Sequence, residues 1–121
     1  MNQELIKFRG KRIDNNEWVC GYYIRQGVAA YIAVPVYDRP NKIHQVDPLT
    51  ICQFIGKLKN EDEIFINDLI QHGETIRIVE YRNGNTCLIR QNKQDTILLS
   101  FSENPKKVGN IFDNPELVAA Q

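Results

Sequence analysis

The sequence predicts a mainly β protein, either a small antiparallel barrel or a strongly bent sheet, with a short C-terminal helix. Residues 28–37 are rich in strand-forming side chains and show no helical period. Asn83-Gly84 lies between two apolar runs, which is a strong hairpin signal. Asn114-Pro115-Glu116 has the cap, the first-turn proline and the acidic side chain of a helix start. With 121 residues and no long linker or repeat, we expect a single domain over residues 1–121.

The first predicted element is a hairpin over residues 7–24, which contains the only tryptophan of the chain. Asp14-Asn15-Asn16 is a turn-forming trio, and asparagine tolerates the left-handed conformation that a three-residue loop with a bulge requires. A two-residue loop would mix the cations with the aromatic rings, so we prefer the wider loop. One face, predicted as core or core rim, then pairs Phe8 with Tyr22, Gly10 with Cys20, and Arg12 with Trp18. The last pair predicts a cation–π contact.

The opposite face of this hairpin collects the positive charge and is the candidate nucleic-acid site. Cations at alternate positions of a strand can follow phosphates, and an aromatic ring can stack on a base. The residues predicted to bind nucleic acid are Lys7, Arg9, Lys11, Tyr23 and Arg25. Because 15 Lys and Arg balance 15 Asp and Glu in the whole chain, this site is the alternative hypothesis and not the leading one.

The middle of the chain predicts further strands joined by turns. Pro35 lacks a backbone donor and therefore places the strand over 28–37 at a sheet edge, or ends it there. Asp47-Pro48 predicts a turn, and Asn67-Asp68 predicts a tight bend between two short apolar runs.

A second hairpin and a last strand complete the predicted sheet structure. A two-residue loop at Asn83-Gly84 pairs Val79 with Leu88 and Ile78 with Ile89, on opposite faces. Apolar pairs on both faces indicate a hairpin that is covered on both sides. Residues 108–112 predict the last strand, just before the helix.

Motifs for catalysis, metal binding and phosphate binding are missing from the sequence. His44 and His72 are far apart and lack metal-ligand spacing, and neither GxSxG, GxGxxG nor GxxxxGK occurs. We therefore expect no enzymatic activity, no metal and no cofactor. The acidic residues of 61–63 and Asp68 are interpreted as solvated surface.

The cysteines and the N-terminus indicate a reducing compartment. Cys20, Cys52 and Cys87 are odd in number and form no CxxC, so we expect reduced and mostly buried thiols. Residues 1–6 lack the apolar run of a signal peptide, and no segment reaches membrane-spanning length. The expectation is a cytoplasmic protein without a membrane partner.

Several motifs in order along nearly the whole chain resemble the YopX family. They are Lys7-Phe8-Arg9-Gly10-Lys11, Asn15-Asn16-Glu17-Trp18-Val19 with Gly21, Gln53-Phe54-Ile55-Gly56, Glu63-Ile64-Phe65 with Asp68-Leu69-Ile70, Val79-Glu80-Tyr81, and Gly109-Asn110-Ile111-Phe112-Asp113-Asn114-Pro115-Glu116-Leu117. The resemblance implies a small, mainly β protein encoded by a temperate phage or prophage and located in the bacterial cytoplasm. It carries over no catalytic residues, because no biochemical role is established for the family.

Two turns depart from the family pattern. Asn15-Asn16 stands where the family commonly has Asn-Gly, and Ile66-Asn67-Asp68 stands where it commonly has Glu-Gly-Asp. Asparagine is the residue best able to replace glycine at a positive φ, so we expect both turns to be preserved. The glycine expected near Glu61 is also absent, and we do not expect a role for that acidic loop here.

Together these observations favour a non-enzymatic accessory protein of a phage or prophage that acts through protein–protein interactions. Its partner would be a host or phage protein, or the chain itself as a homo-oligomer. The alternative is a nucleic-acid-binding module that uses the basic hairpin face.

Overall fold

A computed structural model describes residues 7–36, 42–82, 84–89, 96–98 and 105–119. The chain divides into two compact units, Met1–Phe54 and Ile55–Gln121, and each is considered by itself. The expectation of one domain over residues 1–121 stays a prediction.

Antiparallel strands and one short 3-10 turn build the first unit. The strands are β1 (Phe8–Lys11), β2 (Trp18–Gln26), β3 (Ala29–Val34), β4 (Lys42–Val46) and β5 (Cys52–Lys57), with the turn at Pro48–Thr50. Their order in the sheet is β4-β3-β2-β1-β5. Strand β3 ends immediately before Pro35, as predicted, and the turn predicted at Asp47-Pro48 is the 3-10 turn.

This sheet is strongly bent, so that the end of β1 reaches the end of β4. Arg12 and Val46 form an isolated bridge, and the Ile13 amide donates to the Gln45 carbonyl at 3.1 Å. The Asp47 amide donates to the Lys11 carbonyl at 2.8 Å. The bent-sheet form of the prediction is confirmed, and the sheet is not closed into a barrel.

The inner face of the bend holds the core of the first unit. Its fully buried members are Ala30, Ile32 and Val46. Partly buried side chains pack against them, namely Phe8, Val19, Tyr23, Val34 and Ile51. Because side chains alternate along a strand, the residues between these positions form the outer face.

Two glycines allow the close approaches that the bend requires. A Cβ at Gly21 would clash with the carbonyl of Ala33 on the neighbouring strand. A Cβ at Gly10 would come within 3.0 Å of the ends of the Val46 and Ile51 side chains. Backbone cannot yield as side-chain ends can, so Gly21 is the stricter requirement.

We expect Gly21→Ala to lower the free energy of unfolding by about 2–3 kcal/mol, as strongly overpacked sites do. Gly10→Ala is the matched control and should cost about 1 kcal/mol, because the Ile51 and Val46 side chains can shift. Denaturant unfolding of both variants measures the difference. Equal losses in the two variants would contradict this account of the bend.

The second unit contains a five-stranded antiparallel sheet. The elements of the second unit are β6 (Glu63–Phe65), β7 (Asp68–His72), β8 (Thr75–Arg82), β9 (Asn85–Ile89), β10 (Thr96–Leu98), β11 (Lys106–Asn110) and helix α1 (Pro115–Ala119). The sheet order is β10-β9-β8-β7-β11. The core comprises Leu58, Ile64, Ile70, Val79 and Leu88.

The predicted second hairpin has the predicted register. Val79 pairs with Leu88 and Ile78 pairs with Ile89. Val79 and Leu88 are fully buried, whereas Ile78 and Ile89 are half-buried on the opposite face. The expectation that this hairpin is covered on both sides is therefore confirmed, although less completely on the second side.

The C-terminal motif is organised by the buried side chain of Asn110. Its amide oxygen accepts from the backbone N–H groups of Phe112 and Asp113, both at 2.9 Å. The Asn114 side chain accepts from the Asn110 backbone N–H at 3.2 Å, and a Cβ at Gly109 would clash with it. Helix α1 begins at Pro115 as predicted, but the Asn114 side chain points back to Asn110. The last strand ends at Asn110 and not at residue 112, because residues 111–113 form this turn.

Among the residues that the structure describes, three non-glycine residues in turns adopt positive φ angles. Asn16 has φ 61° and Asn67 has φ 74°, so asparagine adopts the expected positive φ at both turns, whereas the preservation of the family's turns stays a prediction. Glu61 also has φ 74°, near the position where a glycine was expected. Its side chain is 80% exposed and lies 3.7 Å from the Lys57 ammonium. Glutamate has no special tolerance for this conformation, so Glu61 carries backbone strain.

We expect Glu61→Gly to raise the free energy of unfolding by about 1 kcal/mol, because glycine adopts a positive φ without steric cost. Glu61→Ala separates this effect from the exposed ion pair with Lys57, which is worth about 0–1 kcal/mol. Thermal or denaturant unfolding should show stabilisation by glycine alone. Equal stabilisation by alanine would mean that the strain is not the cause.

Candidate functional site

The first hairpin has a register one residue away from the predicted one. Phe8 pairs with Gly21 and Lys11 pairs with Trp18. The Arg12 amide donates to the Glu17 carbonyl at 2.9 Å, so residues 13–16 form a four-residue loop. The predicted three-residue loop is wrong because the Asn16 amide bonds back to the Arg12 carbonyl, which adds one residue to the turn. A slip of one residue exchanges the faces on which paired side chains meet.

The new register divides the predicted nucleic-acid site between the two faces of the sheet. Lys7, Arg9 and Lys11 share the outer face with Trp18, because Lys11 is paired with Trp18 and side chains alternate. Tyr23 and Arg25 belong to the inner side. The Tyr23 ring packs against Phe8 with 5.4 Å between ring centroids, and Arg25 donates to the Tyr23 hydroxyl at 3.2 Å.

The three cations of β1 and its N-terminal flank lie on aromatic rings. The Lys7 ammonium is 4.6 Å from the Phe54 ring centroid. Arg9 and Lys11 lie 4.6 and 5.5 Å from the Trp18 ring centroid, and Arg9 is only 5% exposed. These cations are therefore packed on the aromatic rings beside them. The five residues predicted to bind nucleic acid do not form one surface.

Arg12 does not take the predicted place over Trp18. Its guanidinium forms two hydrogen bonds to the Asp14 carboxylate, at 2.6 and 3.0 Å. These bonds hold the pKa of the Asp14 carboxyl below its usual value. Both residues stay at the hairpin tip, and Arg9 and Lys11 occupy the position over Trp18 instead.

An apolar surface lies on the outer face of β2, β3 and β4. The register aligns Tyr22, Ala33 and Ile43 in one cross-strand row, and it places Ile24 beside Tyr31 in the next row. We call these five residues the outer apolar patch. Tyr22 is 42% exposed and Ile43 is 59% exposed, whereas Ala33 between them is buried. Cross-strand neighbours on one face lie about 5 Å apart, so the patch is continuous.

The pattern of residues in the sequence did not indicate this patch. Tyr22 was predicted as core or core rim opposite Phe8, and that position is wrong because of the register shift. Tyr31 and Ile43 carried no sequence signal of exposure, since strand-forming residues occupy both faces of this region. Only the pairing of β2, β3 and β4 brings the five side chains together.

The edge of β4 is partly covered by the hairpin. The Gln45 carbonyl accepts from Ile13, and the Asp47 amide donates to Lys11, so the backbone groups that point outward at these positions are bonded. Because alternate residues of an antiparallel strand direct their backbone groups to the same side, Ile43 is the next residue whose N–H and C=O point away from β3. The accessible feature of this region is consequently the sheet face and not a long strand edge.

Asp68 is buried, in contrast to the prediction of a solvated carboxylate. It is fully buried, and its Oδ2 accepts from the Phe65 amide at 2.7 Å. The Lys107 ammonium lies 3.3 Å from the same oxygen and donates to the Glu63 carbonyl at 2.8 Å. The positive φ of Asn67 turns the carboxylate back towards Phe65, and Lys107 arrives from a strand distant in sequence. Glu61 and Asp62 are exposed, as predicted.

We expect Asp68→Ala to lower the free energy of unfolding by about 3 kcal/mol, because the Phe65 amide and the Lys107 ammonium would lose a buried carboxylate partner. Lys107→Met and the double variant measure the coupling between the two side chains by denaturant unfolding. Asp62→Ala, in the exposed loop nearby, should change stability little. If Asp68→Ala lowered the free energy of unfolding no more than Asp62→Ala, the stabilising role of the buried Asp68 contacts would be contradicted.

The cysteines differ in exposure. Cys52 and Cys87 are buried, as expected, but Cys20 is exposed and pairs with Arg9 across the strands. All three are free thiols. Within the described ranges, no group of three or more His, Cys, Asp and Glu is arranged to hold a metal ion. No helix in those same ranges is long and apolar enough to cross a membrane.

A family model described as YopX protein matches residues 1–119 of the chain. The match therefore covers both units and agrees with the resemblance in the hairpin and C-terminal motifs. Searches of curated proteins and of solved structures find no match.

Proposed function

This chain belongs to the YopX family, and from that premise we propose that it is a non-enzymatic accessory protein that acts by binding another protein. We further propose that it is encoded by a phage or prophage and works in the cytoplasm of the bacterial host. The proposed contact is the outer apolar patch.

Exposed apolar side chains in adjacent rows are the observation that carries this proposal. Scattered apolar side chains on a surface need no explanation, but contiguous ones are typical of interaction sites. Tyr22 and Ile43 keep about half of their surface in contact with water while flanking the buried Ala33. Covering such side chains removes apolar area from water and contributes about 1 kcal/mol for each.

The contacts of the basic hairpin favour protein binding over the nucleic-acid alternative. Arg9 is buried against Trp18, and Lys11 lies on the same ring. A base would have to displace these cations in order to stack on Trp18. Tyr23, the ring chosen for base stacking from the sequence, packs on Phe8 on the inner face.

We expect Ile43→Lys to weaken partner binding by about tenfold or more, since an ammonium would be buried in an apolar contact. The measurement is affinity capture of bound proteins from lysogenic host cells with the wild-type chain and the variant as bait. Leu49→Lys is the matched control, because Leu49 is 82% exposed in the first unit but lies outside the patch. A bound protein should be retained by the control and lost by Ile43→Lys.

Equal retention by both variants would contradict the assignment of the patch. Binding to DNA or RNA at low salt that disappears with Arg9→Ala and Lys11→Ala, and that weakens steeply with added salt, would instead support the nucleic-acid alternative.

A further inference from the structure

We infer that the partner seated on the outer apolar patch is a second copy of this chain, packed face to face through the same residues. This inference rests on the proposed function, because it names the partner of the same surface.

The absence of charge from the patch is the first reason. The patch fills one row with Tyr22, Ala33 and Ile43 and most of a second with Ile24 and Tyr31, and Gln45 beside Tyr31 completes that second row. In a two-fold dimer, each side chain near the axis faces its own copy, so any charge there meets a like charge. Six uncharged positions satisfy this condition for self-association.

The Lys7 ammonium, beside Tyr22 in the register, is directed away from the patch. The pairing of Phe8 with Gly21 places Lys7, one residue earlier, beside Tyr22 on the outer face. Its ammonium lies 4.6 Å from the Phe54 ring centroid, on the side of β5. A second copy covering Tyr22 and Ile43 therefore does not bring the two Lys7 ammonium groups into the centre of the contact.

The character of the patch also fits a second copy better than a different protein. Charged groups usually steer and select a different partner, and neither the five patch residues nor Gln45 carries a charge. Homodimer interfaces are more apolar than the contacts of transient complexes. The hydrogen bonds of Gln45 and Asp47 to the hairpin cover part of the β4 edge, so the copies would meet through sheet faces and not by joining strands.

Sedimentation equilibrium from micromolar to millimolar concentrations tests this inference. The wild-type chain should form a reversible dimer, and Ile43→Lys and Ile43→Glu should each weaken it by about tenfold or more. The patch measures only about 10 Å across the strands and about 7 Å along them. In a two-fold contact centred on it, the introduced ammonium and carboxylate reach each other, so an equimolar mixture of the two variants should associate again.

Leu49→Lys should remain dimeric, and circular dichroism shows that each variant is folded. A wild-type chain that stays monomeric at millimolar concentration overturns the inference, while the proposed function with a different protein partner would still stand. A dimer unaffected by Ile43→Lys overturns the use of this patch. Failure of the mixed variants to associate overturns the face-to-face arrangement.

Discussion

The close approach of β2 to β3 at Gly21 is the constraint on which the first unit depends. No side chain fits between Gly21 and the Ala33 carbonyl, and this lets the sheet bend until Arg12 reaches Val46. The bend gives the sheet an inner face that can bury Ile32 and an outer face that it cannot cover by itself. The outer apolar patch is thus a direct consequence of how the core is made, since strands of this composition carry apolar side chains on both faces.

One additional loop residue decides the chemistry of the hairpin surface. With four residues in the loop, Arg9 and Lys11 meet Trp18, whereas Tyr23 turns to the core and stacks near Phe8. Cations packed on a half-buried aromatic ring cover apolar area with their stems and gain cation–π energy of about 0.5–1 kcal/mol at such sites. The hairpin face that the sequence predicted to bind phosphates is therefore, in the fold, occupied largely by cations packed on aromatic rings.

Several family motifs have structural tasks that explain their residue types. Asn110 satisfies the amides of the turn before helix α1, and Asp68 satisfies the amide of Phe65 while neutralising Lys107. Asn67 supplies the positive φ that places Asp68 in that position. Each of these polar side chains meets a backbone group or charge that would otherwise be costly to bury.

Local chemistry was enough to predict much of this protein. The mainly β class, the register of Val79 with Leu88, the end of a strand at Pro35, the helix start at Pro115 and the left-handed turns at asparagine all follow from short stretches of sequence, because turn and cap residues act within a few positions of the chain. The tertiary structure alone decided which face each side chain occupies in the first hairpin, that Asp68 is buried and paired with Lys107, and that Tyr22 and Ile43 lie on either side of Ala33 in one row, in contact with water. Those outcomes depend on the exact length of one loop and on strands distant in sequence, and neither is encoded in the local pattern of apolar and polar residues.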